Sequence, residues 1–112
     1  MSLMFSGCSK LTKFNIYNFD TSHVINMYRM FNGCSELKEL DVTNFNTSNV
    51  IDMRFMFCGC KSLQKLNVSN FIINKKCCFR WMFSDTSQEL KSTVKEQNKQ
   101  FANIGFEDYL IE

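Results

Sequence analysis

A chain of 112 residues with 13 basic and 11 acidic side chains has room for one domain, and its net charge of +2 lacks the basic excess expected of a nucleic-acid binder. With 14% aromatic residues and no proline, the composition excludes neither a packed core nor regular structure, but it argues against disorder and proline-rich linkers. No apolar run approaches the ~20 residues that span a bilayer, so membrane insertion is not expected.

The first segment, Met4-Phe5-Ser6-Gly7-Cys8, returns as Met30-Phe31-Asn32-Gly33-Cys34 and as Met56-Phe57-Cys58-Gly59-Cys60, a shift of 30 − 4 = 26 each time. Other columns keep that period: Leu11/Leu37/Leu63, Phe14/Leu40/Leu66, Ile16/Val42/Val68, Asn18/Asn44/Asn70, Phe19/Phe45/Phe71 and Val24/Val50. A fixed period in this range is the signature of stacked repeats, because one unit cannot bury its apolar face without a neighbour. Within a unit, Leu37-x-x-Leu40-x-Val42-x-x-Phe45 alternates as a short strand does, with Leu40 and Val42 inward and Glu39, Asp41 and Thr43 outward. Val50, Met53, Met56, Phe57 and Cys60 follow at spacings of three and four, as on a helical turn started by Thr47 or Ser48 and stopped at Gly59.

These elements predict an α/β solenoid of about three 26-residue coils, each with a strand and a helical turn. The expected units are 4–29, 30–55 and 56–86, forming a repeat region over 1–86. The last unit departs from the pattern, with Gly-Cys replaced by Asp85-Thr86, and residues 87–112 are expected to form a capping helix and tail. Leu90, Val94, Phe101 and Ile104 would supply the apolar stripe of that helix. The repeat begins inside a unit, Met1 aligning with Met27, and the opening residues lack the basic and apolar stretches of an export signal. A fragment of a longer array, able to self-associate through its uncapped N-terminal unit, is the expectation.

The chemistry-bearing residues fall mostly in structural columns. Cys8, Cys34 and Cys60 share one column beside Gly and Leu, where small buried thiols fill core slots. Cys58, in a column otherwise held by Ser6, Asn32 and Ser84, is the more reactive candidate. A zinc site from Cys58, Cys60, Cys77 and Cys78 lacks the paired C-x-x-C spacing, and no metal or other cofactor is expected. His23 stands in a variable column with Asn49 and Lys75, and no third group orients it toward a nucleophile, so no catalytic residues are assigned. Asn18, Asn44 and Asn70 form a ladder suited to backbone groups at the bend after each strand. The candidate partner-binding surface is the outward strand face: Lys13, Asn15, Tyr17, Glu39, Asp41, Thr43, Lys65, Asn67 and Ser69. A second candidate is the column Leu3, Arg29, Phe55 and Trp81, where Phe55 and Trp81, with Arg54, Arg80, Lys75 and Lys76 nearby, would form an exposed aromatic patch or, on the plainer account, receive the docked tail.

The pattern Met-Phe-x-Gly-Cys-x-x-Leu-x-x-Leu-x-Val-x-Asn-Phe-x-Thr-Ser-x-Val-x-x-Met resembles the BspA-type leucine-rich repeats, in the form catalogued as a mycoplasma domain of unknown function. The resemblance covers roughly residues 1 to 85. It implies a bacterial-type surface or secreted protein active in adhesion, and hence a non-catalytic module that binds a protein partner. An intracellular scaffold is the alternative.

Overall fold

Short alternations of apolar and polar residues form three strands, β1 (Lys13–Asn15), β2 (Glu39–Asp41) and β3 (Lys65–Leu66). They pair in parallel in the order β1-β2-β3, with Lys13 opposite Glu39 and Leu40 opposite Leu66. In the computed structural model the described residues are 20–102, together with the backbone of 13–15. Leu40, Val42, Leu66 and Val68 are buried, whereas Asp41, Thr43, Lys65, Asn67 and Ser69 are exposed.

The expected solenoid of three coils, each with a strand and a helical turn, is not what is found. The strands are only two or three residues long, and the molecule measures 30 × 30 × 25 Å rather than being drawn out. Among the described residues the sole α-helix is α1 (Gln88–Gln97), outside the segments expected to hold helical turns. The reason lies in the destination of the backbone N–H groups. An α-helix directs each one to the carbonyl four residues back. Here alternate groups cross to the next unit: Met53 N–H donates to Cys78 O at 2.8 Å, Phe55 to Arg80 O at 3.2 Å, Phe57 to Met82 O at 2.9 Å and Gly59 to Ser84 O at 3.0 Å. The intervening ones close four-residue turns, as Met56 does on Met53 O at 3.2 Å and Cys58 on Phe55 O at 3.2 Å. The three-and-four apolar spacing is therefore satisfied by consecutive tight turns.

Two backbone reversals bracket each such segment. Arg29, Phe55 and Trp81 stand at its head with φ of 55°, 59° and 55°. Gly33, Gly59 and Asp85 stand at its foot with φ of 80°, 80° and 60°. At the foot the left-handed backbone is met by glycine or aspartate, which tolerate it. A Cβ on Gly59 would also come within 3.4 Å of the Gly33 nitrogen.

Between sheet and turns lies one core. Phe31, Phe57 and Phe83 stack through it at centroid distances of 5.7 and 5.3 Å, and Met27, Met30, Met53, Met56 and Met82 fill the space around them. Thr47, proposed above as a helix N-cap, is buried and has another role. Its hydroxyl donates to Ile72 O at 3.0 Å and accepts from Ile72 N–H at 2.8 Å. Thr21 does the same with Asn46, at 3.3 and 2.8 Å.

Helix α1 begins at Ser87, whose hydroxyl accepts from Leu90 N–H at 3.0 Å, and it buries Leu90 and Val94 in the same core. Its far end lies along the open edge of β3. The Gln97 side chain donates to Leu66 O and accepts from Val68 N–H, both at 2.9 Å. The Asn98 amide donates to Val68 O at 3.0 Å and Phe71 O at 2.9 Å. Side-chain amides thus occupy positions that a further strand would fill.

Candidate functional site

The strand-face residues are placed by the β ladder, but their polar groups are largely engaged with one another. The Asp41 carboxylate accepts from the Thr43 hydroxyl at 2.6 Å and from Thr43 N–H at 3.0 Å, and these bonds hold it below the usual carboxylate range. Asn67 accepts from Ser69 N–H at 2.9 Å in the same kind of turn. Lys65 reaches Glu39 at 3.1 Å, an exposed pair worth about 0–1 kcal/mol. Lys13 and Asn15 join this face by backbone register, opposite Glu39 and Asp41. Tyr17 lies outside the described residues, as do Asn18 and Cys8.

The structural ladders are placed in the interior and at its margin. Cys34 and Cys60 are both buried, and the Cys60 thiol donates to Phe31 O at 3.2 Å. Burial, with the neighbouring Cys34, pushes the Cys60 thiol up to about 12. Cys77 is half-buried, and burial pushes its thiol up to about 11. No group of three or more histidine, cysteine, aspartate or glutamate side chains is poised to hold a metal ion among the described residues. Asn70 donates to Thr43 O at 2.9 Å and Phe45 O at 3.1 Å, tying the bend of one unit to the preceding one, while Asn44 is half-buried. His23 is exposed.

The second candidate surface is the more unusual. Phe55 and Trp81 stack at 5.2 Å with their planes 15° apart. The Arg29 guanidinium lies over the Phe55 ring at 4.9 Å and over Tyr28 at 5.3 Å, and Arg54 lies over Tyr28 at 4.9 Å. Tyr28 in turn meets Phe55 edge-on at 6.0 Å. Because positions 29, 55 and 81 follow one another across the ladder, Phe55 has Arg29 on one face and Trp81 on the other. All of these side chains are half-buried, so they reach solvent. Asp52 fixes Arg54 with two contacts, Nε to Oδ1 at 3.1 Å and Nη2 to Oδ2 at 2.9 Å. That pairing holds the guanidinium above its ordinary range.

The described part of the tail also brings rings together. Phe101 packs edge-on against Phe79 and Phe83, both at 5.7 Å, and is fully buried. Sequence reasoning found the column through Phe55 and Trp81, with Arg54 and Arg80 near it, but not Tyr28. The signal for Tyr28 was an aromatic residue next to the column's arginine, at Tyr28-Arg29.

Comparison with known families decides the kinship. The family described as "Mycoplasma protein of unknown function, DUF285" matches residues 1–105. The chain belongs to that family. The match takes in the strands, the turn segments, helix α1 and the arginine–aromatic column, so this surface lies wholly within the DUF285 domain. No curated protein and no solved structure matches the chain. Among the described residues no helix is long and apolar enough to cross a membrane.

Proposed function

We propose that this DUF285 domain is a non-catalytic protein-interaction module of a surface or secreted protein, and that its contact surface is the arginine–aromatic column. One observation carries the reading. Arg29, Phe55 and Trp81 all hold a left-handed backbone that costs an ordinary residue about 1–2 kcal/mol, although glycine serves four residues later at Gly33 and Gly59. Bulky side chains kept at strained surface positions, on a rigid scaffold, are typical of sites where the side chain has work outside the fold. Tryptophan, tyrosine and arginine are also the residue types that most often anchor protein contacts.

The exposed strand face remains a second surface for the same role, favoured by the row Thr43, Lys65, Asn67 and Ser69 standing in solvent. An intracellular scaffold is the competing setting, favoured by Cys60, Cys77 and Cys78, which form no disulfide.

The test places a photo-cross-linking amino acid at position 55 or at position 43 in the protein produced in its own cells. Discrete adducts from position 55 that vanish with Trp81→Gly support the column. Adducts from position 43 alone transfer the role to the strand face. A protein that forms no adduct from either position overturns the interaction reading.

A further inference from the structure

Resting on the reading of the column as a contact surface, we infer that its partner is an acidic protein segment, bound through carboxylates at the edges of the stacked guanidinium and aromatic groups. The geometry of the stack sets this chemistry. Phe55 has one face under Arg29 and the other against Trp81, so what it offers to solvent is its edge. An aromatic ring is negative over its faces and positive around its edge. A guanidinium is likewise a donor only in its plane, where its N–H groups form a fork that matches a carboxylate. With both faces of Phe55 covered, its edge and the N–H donors of the guanidiniums beside it are the groups left to meet anionic oxygen.

The charge inventory points the same way. Three guanidiniums occupy the column and its flank, Arg29, Arg54 and Arg80, and Asp52 pairs with Arg54 alone of the first two. Arg29 forms no ion pair with any described carboxylate, and its Nε is buried with no hydrogen-bond partner among the described residues. Arg54 is pre-oriented by Asp52 with its side chain still 43% exposed, so it can donate to a second carboxylate without reordering. Base stacking, the means by which single-stranded nucleic acids use aromatic residues, needs open ring faces, and both faces of Phe55 are taken.

The probe is a fluorescein-labelled decapeptide alternating glutamate with leucine, compared with its glutamine counterpart and with a labelled oligothymidylate, each titrated into the full chain by anisotropy. The glutamate peptide should bind about tenfold more tightly than the glutamine peptide, the difference made by hydrogen bonds to a charged acceptor, and should weaken as salt rises. Arg29→Gln should lose about tenfold in affinity, and Arg29→Lys should recover only part of it because ammonium does not stack or fork. Lys38→Gln, an exposed cation away from the column, should bind as the parent does. Melting curves of each variant establish that it is folded, and Trp81→Gly serves as a second disruption where Arg29→Gln does not fold. Equal binding of the two peptides, or undiminished binding by folded Arg29→Gln and Trp81→Gly, overturns the inference. So does tighter binding of the oligothymidylate with the same arginine dependence, or self-association of the chain that Arg29→Gln abolishes while the peptide fails to bind. If cross-links form at position 55 but the glutamate peptide does not bind, the partner's chemistry is wrong and the contact surface stands.

Discussion

Replacing Trp81 by glycine should harm the fold less than replacing it by alanine, the reverse of the usual order. Both changes remove the same ring and the same stack on Phe55, worth about 0.5–1.5 kcal/mol beyond burial, so that loss cancels between them. What differs is the backbone. At φ 55° alanine retains the left-handed penalty of about 1–2 kcal/mol, and glycine does not. Against this, glycine gives the unfolded chain extra freedom worth about 0.4–1 kcal/mol. The balance leaves Trp81→Gly more stable than Trp81→Ala by about 1 kcal/mol, or roughly 5 °C in Tm for a domain of this size. Phe55, at φ 59°, should repeat the result. Ile51 supplies the control, since it is exposed and outside the left-handed set, and there alanine should exceed glycine by about 0.5–1 kcal/mol. Urea and thermal unfolding followed by circular dichroism read all six variants, avoiding the fluorescence of the lone tryptophan. If alanine is the better residue at 55 and 81 as well as at 51, the strain does not exist and the case for the column loses its foundation.

Three other outcomes follow from the same geometry. Thr47→Val keeps the shape of a fully buried side chain but leaves the Ile72 N–H and C=O without their partner, so urea titration should show a loss of about 1–3 kcal/mol. Gln97→Ala uncovers Leu66 O and Val68 N–H at the edge of β3, and sedimentation should reveal concentration-dependent association that the parent chain lacks under the same conditions. The raised thiol of Cys60 makes the folded state hold its proton where the unfolded state releases it. Its contribution is therefore complete below about pH 9 and falls away as the pH climbs through about 12. Unfolding free energies measured across that window should decline more steeply for the parent than for Cys60→Ala, and parallel curves would contradict the burial of that thiol.

Much of the packing was legible in the sequence because it repeats. The 26-residue column spacing places Leu40 beside Leu66 and Phe31 beside Phe57, and the alternation around residue 40 separates buried Leu40 and Val42 from exposed Asp41 and Thr43. The form of the turn segments was not legible. Apolar residues three and four apart satisfy a helix and a run of tight turns equally, and the choice depends on whether Phe57 N–H bonds backward or across to Met82 O. Nor could local rules foresee left-handed backbone at Arg29, Phe55 and Trp81, since those rules look for glycine or asparagine. Phe101, expected in the apolar stripe of the tail, does enter the core, beside Phe79 and Phe83.

The amide of Gln97 carries a donor and an acceptor at nearly the spacing of a peptide group, and it meets the last strand as another backbone would. In polymer language it is a chain terminator. A parallel ladder handing its N–H groups forward has no inherent length, and any compatible strand can extend it. With a side chain in place of the next backbone, the β3 end of the ladder is fixed by the chain's own sequence rather than by its concentration.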